Sequence, residues 1–274
     1  THLNLYMISI QQQKQIVFIG AGNVATHLSY CLQQKGFQIL AVYSRTTDSA
    51  ESLAEKLGCK AYTTLGDLPN ADIYIFCVKD DVLPEMIRQV GILHPQALLI
   101  HTAGSVPLSV FSSHKGGKAI IYPLQTFSKE RQVDWKNISI LLEADKEETK
   151  ETIWSLVEGI SSQIYEVDSE QRKWIHLAAV FACNFTNHCY SVATSLLKEK
   201  GLPFDLLIPL IDETVRKVHE MPPHIAQTGP AVRNDVAVMN AHEGMLEETP
   251  LVQEIYKLLS RSIYNFQKNK INAQ

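Results

Sequence analysis

The first half of the chain alternates short apolar, β-branched runs with segments of helical periodicity. The runs predict seven strands, near Ile16, Gln38, Ile73, Ala97, Lys118, Ile138 and Gln163. Helical patterns separate most of these strands. Such alternation is typical of a doubly wound, mostly parallel sheet with helices on both faces. We therefore predict an α/β, Rossmann-type domain over residues 14–168.

The pattern changes after Asp168, where strand signals stop and only helical periodicity remains. Helices are predicted over 169–200, 203–220, 230–247 and 250–269. Pro203, Pro230 and Pro250 lie near three of the predicted helix starts, where a missing backbone N–H costs nothing. A second, all-helical domain is therefore predicted over residues 169–274.

The first apolar run leads directly into the pattern Gly-x-Gly-x-x-Ala, which begins at Gly20. Gly20 permits a tight turn, and Gly22 lets backbone N–H groups approach a pyrophosphate. Asn23 and Val24 open the following helix, whose N-terminus favours an anion. This context predicts a dinucleotide site at these four residues, with an ordinary strand–turn–helix as the alternative.

The end of the second predicted strand indicates which dinucleotide would bind. An NAD site usually places Asp or Glu there to bind the ribose 2′-hydroxyl. This chain instead has Ser44, Arg45 and Thr46, and a guanidinium between two hydroxyls suits a 2′-phosphate. NADP is therefore the predicted cofactor, and a solvated loop arginine is the alternative.

Later strand ends should meet the same ligand-binding edge of the sheet. Val78 and Lys79 follow the strand near Ile73, and His101 and Thr102 follow the strand near Ala97. These four residues are predicted to approach the cofactor, as is the segment 122–127. Helix capping by neighbouring side chains is the alternative at each strand end.

The long predicted helix at 169–200 is apolar on most sides but carries a polar stripe. Its members are His176, Asn184, Asn187, His188 and Ser191, which lie near one another at 3.6 residues per turn. Buried polar groups need partners. The stripe therefore meets either other protein groups or a ligand, and the sequence leaves both readings open.

A second polar cluster contains Arg233, Asp235 and His242. Asp235 and His242 share one helical face, where a carboxylate could tune a histidine proton donor. Arg233 could hold a substrate carboxylate. Surface salt bridging is the competing interpretation. With His176 and Asn184, these three residues complete the predicted catalytic set.

Composition narrows the possible partners. The formal net charge of −4 provides no broad basic field, so no nucleic-acid partner is expected, and no apolar stretch is long enough to predict a membrane partner. The five cysteines form no Cys-x-x-Cys pair, which predicts reduced thiols and a cytoplasmic protein. No histidine pair has the spacing of a helical zinc site, so no metal is predicted.

The glycine turn at 20–25 and the segment 44–46 resemble the NADP-binding half of pyrroline-5-carboxylate reductases and deazaflavin-dependent NADP reductases. The helical half resembles a family of Rossmann-like proteins with a helical domain of unknown function. This likeness is carried by residues 176–180 with Asn184, 207–210, and 228–230 with Arg233, Asp235 and His242. It implies a fold like that of the 6-phosphogluconate dehydrogenase superfamily and a homodimer formed through the helical domains.

The chain also departs from that superfamily. Its hydroxyacid dehydrogenases place a catalytic lysine where this chain has Val180, and glycine and threonine are expected where it has Asn234 and Val238. The leading hypothesis is an NADP-dependent oxidoreductase that transfers hydride to or from a small carbonyl or imine compound held between the domains. A noncatalytic NADP-binding sensor is the main alternative, and a methyltransferase-like adenosyl-binding fold is a minor one.

Overall fold

The computed structural model describes residues 14–271, and these contain one eight-stranded sheet. The strands are β1 (Gln15–Ile19), β2 (Gln38–Tyr43), β3 (Lys60–Tyr62), β4 (Ile73–Phe76), β5 (Leu98–His101), β6 (Lys118–Leu124), β7 (Ser139–Ala144) and β8 (Ile164–Glu166). Their spatial order is β3-β2-β1-β4-β5-β6-β7-β8. Every neighbouring pair is parallel except β6 and β7, which run antiparallel. The predicted mostly parallel sheet is confirmed.

Five α-helices accompany this sheet: α1 (Asn23–Gln34), α2 (Thr47–Leu57), α3 (Leu83–Leu93), α4 (Glu147–Val157) and α5 (Ser169–Ala179). Beyond α5, helices are the only regular secondary structure in the described chain. These helices include a π-helix (Val180–Phe185), α6 (Thr186–Glu199), α7 (Ile208–Glu220), α8 (Pro223–Ala226), α9 (Val236–Met245) and α10 (Pro250–Ile271). The predicted all-helical C-terminal region is confirmed, and no described helix is both long and apolar enough to cross a membrane.

The core lies on both faces of the sheet, because successive strand side chains point in opposite directions. In β1, Ile16 and Phe18 join one buried cluster, which side chains of α1, α2 and α4 cover. Val17 and Ile19 join a second cluster, which α3 and Phe111 cover. A central parallel strand buried on both faces reads as a continuous apolar run, which explains the strength of its sequence signal.

The chain forms two compact units that divide between Asn184 and Phe185, later than the predicted boundary after residue 168. Helix α5 therefore belongs to the first unit. A capping box between Asp168 and Gln171 starts this helix, and its Arg172 is fully buried against β7. The sequence signal marks the end of the strands, whereas the compact unit also includes the helix that packs on them.

The second unit has little buried apolar surface of its own. Among its described hydrophobic residues, only Ala231 and Leu246 are buried, whereas Met245, Leu251 and Phe266 are each more than 60% exposed. Most of its large apolar side chains therefore face outward.

Candidate functional site

The turn after β1 has the geometry that a dinucleotide-binding glycine turn requires. Gly20 has a φ of 114°, and its N–H donates to the Tyr43 carbonyl at 2.8 Å. A Cβ added to Gly20 would lie 2.4 Å from the carbonyl oxygen of Cys77. Both the backbone angle and this close approach exclude a side chain, so β1, β2 and β4 meet tightly at this point.

Gly22 differs from Gly20, because a Cβ built on it would meet nothing within 4 Å. Gly22 is the N-cap of α1, and no side-chain cap bond satisfies the start of this helix. The open space and the uncapped N–H groups fit a pyrophosphate that approaches the backbone. The residues of this turn therefore suit the predicted cofactor.

A cleft of about 380 Å³ lies against this turn. Its wall comprises Gly20, Ala21, Gly22, Tyr43, Ser44, Arg45, Thr46, Ser49, Cys77, Val78, Lys79, Val82, Met86 and Lys129. No carboxylate is among these described residues, although the whole chain is acidic. The structure thus brings seven of the predicted cofactor residues to one cleft: Gly20, Gly22, Ser44, Arg45, Thr46, Val78 and Lys79.

Three cations line the cleft: Arg45, Lys79 and Lys129. None of them pairs with an acidic side chain of the described chain. Three unpaired cations in a cleft without carboxylates give a positive potential that attracts a phosphorylated ligand.

The cleft offers no nucleophilic thiol. Burial raises the pKa of Cys77 to about 12, and a hydrogen bond involving Thr102 opposes this shift. The thiol therefore stays protonated at neutral pH, and covalent catalysis through Cys77 is not supported.

His101 and Thr102, which are predicted to approach the cofactor, are not among the residues that line this cleft. His101 is fully buried, its Nδ1 accepts the N–H of Ala103 at 3.1 Å, and its ring stacks on Phe111. Burial, assisted by the nearby charge of Arg172, lowers its pKa to about 3, so the ring is neutral. Thr102 Oγ1 donates to the Phe76 carbonyl at 3.2 Å. Both side chains support the strand ends from inside the core.

Asn23 and Val24 are also absent from the cleft wall. The Asn23 amide donates to the carbonyl of Phe127 at 2.7 Å, and Val24 is half-buried in the first turn of α1. Asn23 therefore ties the helix to the segment that follows β6, rather than presenting its side chain to the cleft.

His176, a predicted catalytic residue, meets Tyr122 near the carboxyl end of β6. The Tyr122 hydroxyl lies 2.8 Å from His176 Nδ1, and the two rings contact edge to face. Burial raises the pKa of Tyr122, so the phenol stays neutral. A Cβ on Gly104 would lie 2.6 Å from Nδ1 and 2.9 Å from Tyr122 Cζ. The loop after β5 can pack on this pair only because residue 104 is glycine.

Arg172 holds α5 against the sheet one helical turn before His176. Its guanidinium pairs with Glu143 on β7 and donates to the Val106 carbonyl at 2.5 Å. Ser169 donates to the same carboxylate at 2.8 Å and accepts the N–H of Leu108 at 2.9 Å. This network fixes the helix that carries His176.

Among the described residues of the second unit, Arg233, Asp235 and His242 form no ion pair with one another. Asn184 is exposed within the π-helix, and Arg233 is exposed before α9. Asp235 is the N-cap of α9, where its carboxylate accepts the N–H of Val238 at 3.3 Å. His242 Nδ1 lies 2.9 Å from the Tyr256 hydroxyl, so its partner is a phenol rather than Asp235. This pair borders a cavity of about 570 Å³ within the second unit.

Sequence patterns do not indicate Lys129 or Arg172, and they assign no individual role to Gly104 or Tyr122. Tyr122 and Gly104 lie in strand-end segments that the pattern does indicate, but nothing local singles them out. A fully buried arginine is rare unless paired, and its partner Glu143 lies 29 positions away. Only the spatial arrangement reveals these contacts.

The fold, the glycine turn and the helical C-terminal region define a pyridine-nucleotide-binding oxidoreductase fold. Residues 15–104 match the model described as "NADP oxidoreductase coenzyme F420-dependent", and residues 138–263 match a domain of unknown function, DUF2520. A structure from Bacteroides fragilis, provisionally assigned as an NADP oxidoreductase, is 47% identical. Its alignment covers 93% of this chain and 99% of that one, with a TM-score of 0.89. The chain belongs to the family of that protein. In this chain, the oxidoreductase match precedes the match to DUF2520.

More distant structures share the fold. A protein from Thermotoga maritima is 24% identical with a TM-score of 0.68, and 1-pyrroline-5-carboxylate reductase from Streptococcus pyogenes is 15% identical with a TM-score of 0.61. Each alignment covers 93% of this chain and 99% of the other. No curated protein sequence matches this chain significantly.

Proposed function

We propose that the protein is an NADP-dependent oxidoreductase acting on a small carbonyl or imine compound, and that it works in the cytoplasm. The observation that carries this proposal is the cleft at the glycine turn, which has three unpaired cations and no carboxylate among its described residues. A ligand with several phosphate charges complements such a wall. When bound there, the nicotinamide would supply or accept the hydride.

The preference for NADP over NAD rests on the end of β2. Ser44, Arg45 and Thr46 line the cleft at the position where an NAD site would present a carboxylate. A guanidinium contact to the 2′-phosphate is worth about 1.5–3 kcal/mol, which predicts NADPH binding about ten- to a hundredfold tighter than NADH binding.

Calorimetric titration with both nucleotides tests this preference. Arg45→Ala should remove most of the difference, whereas Lys56→Ala, an equal change of charge on the exposed surface of α2, should leave it intact. If wild-type protein binds neither nucleotide, the glycine turn does not serve this cofactor and the proposed function fails.

For the substrate half of the reaction, we propose His176 as the proton donor and Tyr122 as the residue that orients it. In the imidazolium form, Nδ1–H donates to the Tyr122 oxygen, and the Nε2 proton is given to the carbonyl oxygen or imine nitrogen. The histidine keeps its Nδ1 hydrogen bond throughout this transfer. Tyr122 therefore sets the orientation of the ring without changing its own protonation.

A screen of keto acids, aldehydes and cyclic imines would supply the substrate for this test. His176→Gln should lower kcat by about 10²- to 10⁴-fold and leave the Kd for NADPH unchanged. Tyr122→Phe should lower kcat less, because it removes the orienting contact and keeps the donor. Equal turnover in wild type and His176→Gln would exclude this role.

A second candidate function is favoured by Val180, which replaces the lysine of related hydroxyacid dehydrogenases. A noncatalytic NADP sensor would bind nucleotide and show no turnover across that panel. Discovery of any substrate with ordinary turnover would eliminate the sensor hypothesis.

We further propose a homodimer formed through the helical unit, supported by its outward-facing Met245, Leu251 and Phe266.

A further inference from the structure

One wall of the cofactor cleft comes from the connection between β6 and β7. Lys129 lines the cleft together with Gly22 and Arg45, although it lies more than 80 positions after Arg45 in the chain. The glycine pattern and the end of β2 give no indication of this residue. Its position in the cleft results from how the connection folds back on α1.

Two side chains of α1 hold the residues just before Lys129. Asn23 Nδ2 donates to the carbonyl of Phe127 at 2.7 Å, and His27 Nε2 donates to the carbonyl of Ser128 at 2.8 Å. The Phe127 ring also stacks on His27, with ring centroids 5.1 Å apart. Two consecutive carbonyls are thus tied to the helix that follows the glycine turn.

The Phe127 ring has a second neighbour, because it packs against Trp135 at a centroid distance of 5.6 Å. This contact joins the two ends of the connection. The backbone origin of the Lys129 side chain is therefore set relative to α1, while the side chain itself remains exposed.

Lys129 makes no ion pair with any residue in the described range, and no carboxylate is among the described residues that line this cleft. An ammonium has three donors and suits a phosphate oxygen as a mobile point charge. The chemistry that complements Lys129 in this position is therefore a phosphate group of the bound ligand.

We propose that Lys129 binds a phosphate of the dinucleotide, and that His27 positions the segment 127–129 for this contact. This inference rests on the proposed function, because it takes the ligand of the cleft to be NADP. It adds a phosphate ligand from outside the glycine turn and the β2 end.

Calorimetry with NADPH and NADH tests the phosphate contact through affinity, independent of any activity. Lys129→Gln should weaken NADPH binding by about tenfold, the effect of losing one charge-assisted contact. Lys136→Gln, which makes the same change of charge at an exposed position outside the cleft wall, should change the Kd by less than about twofold.

The two nucleotides show which phosphate is bound. Loss of affinity for NADPH alone assigns Lys129 to the 2′-phosphate, and equal loss for both nucleotides assigns it to the pyrophosphate. Either result supports the proposal. If Arg45→Ala weakens NADPH binding and Lys129→Gln weakens neither nucleotide, the proposed function stands and the role of Lys129 is refuted.

A double-mutant cycle separates positioning by His27 from a general effect on folding. His27→Ala should weaken NADPH binding by about threefold in wild type and have no effect in the Lys129→Gln background. An equal loss in both backgrounds would show that His27 acts independently of Lys129, which overturns the positioning role. Unfolding curves of each variant confirm that the folded protein is being compared.

Discussion

The two units use their apolar side chains in opposite ways. In the first unit, Ile16 to Ile19 are completely buried and the sheet is covered on both faces. In the second unit, Met245 is 77% exposed and Leu251 is 71% exposed, and only two described hydrophobic residues are buried. The first unit is therefore stabilised by its own core, whereas the second leaves most of its large apolar side chains exposed.

The polar side chains of the two units also differ in how deeply they are buried. The first unit buries Arg172 and His101 completely. In the second unit, polar pairs are exposed, such as Arg216 with Glu213, or half-buried, such as His242 with Tyr256. Burial makes interactions strong and geometry precise, so substitutions should be costly in the first unit and mild in the second.

The largest difference is expected between two arginines. Arg172→Ala leaves Glu143 without its cation and removes the bond to Val106, which should lower the free energy of unfolding by about 3–5 kcal/mol. Arg216→Ala breaks an exposed pair and should cost less than about 1 kcal/mol. Urea unfolding of both variants measures this contrast, and similar losses would contradict it.

The next effect compares two glycines with the same backbone angle. Gly20 and Gly229 both have a φ of 114°, but a Cβ on Gly20 would lie 2.4 Å from a carbonyl oxygen, whereas one on Gly229 meets nothing within 4 Å. Gly20→Ala should cost about 3 kcal/mol from strain and overlap, and Gly229→Ala about 1 kcal/mol from strain alone. Thermal unfolding gives both values. Equal costs would show that the contact with Cys77 relaxes.

A third effect concerns acid. The pKa of His101 is lowered to about 3 by burial, so below the ordinary value of 6.5 the unfolded state binds a proton that the folded state refuses. Above pH 6.5, His101 does not lower the free energy of unfolding. As the pH decreases from 7 to 5, protonation of this residue in the unfolded state lowers the free energy of unfolding by about 2 kcal/mol. Urea unfolding at pH 7 and pH 5 measures this loss, and His101→Phe should lose about 2 kcal/mol less than wild type between the two pH values. An equal loss in both proteins would assign the acid sensitivity to other groups.

The smallest effect is expected on the exposed face of the second unit. If the surface around Leu251 forms the dimer interface, Leu251→Ser should weaken association by about 1–2 kcal/mol for each leucine that the dimer buries. Sedimentation at several concentrations would detect a shift towards monomer, with Lys198→Ser on α6 as the surface control. A wild-type protein that remains monomeric at all concentrations would rule out the dimer.

The sequence was most informative where the controlling interactions are local. The turn at Gly20 and the apolar strands were predicted because spacing and residue type determine them. Strand β3, Lys60–Tyr62, was missed because its three residues are exposed or half-buried and form no apolar run. The π-helix at Val180–Phe185 was also missed, since its composition is that of an ordinary apolar helix.

Two further cases show what local reasoning can recover. His101 shares its face of β5 with buried Leu99, so period-two alternation predicts the burial that its strand-end position obscured. Asn234 has a φ of 52°, an angle that Asn tolerates better than other non-glycine residues. Its departure from the expected glycine therefore preserves the backbone. Lys129 and Tyr122 could not be assigned in this way, because their partners are distant in sequence.

The reversed direction of β7 determines what the later part of the first unit contributes to the molecule. A strand parallel to β6 would have required its connection to cross to the far edge of the sheet. Because β7 runs back, the connection stays at the carboxyl edge, and Lys129 stays with it. Helix α5 starts at Ser169, which contacts Glu143, and Glu143 lies beside Ile120 of β6. The helix then runs along β6 to Tyr122, so that His176 lies at the same carboxyl edge. One change of strand direction thus places both a cation and an imidazole at the edge of the sheet that carries the glycine-turn cleft.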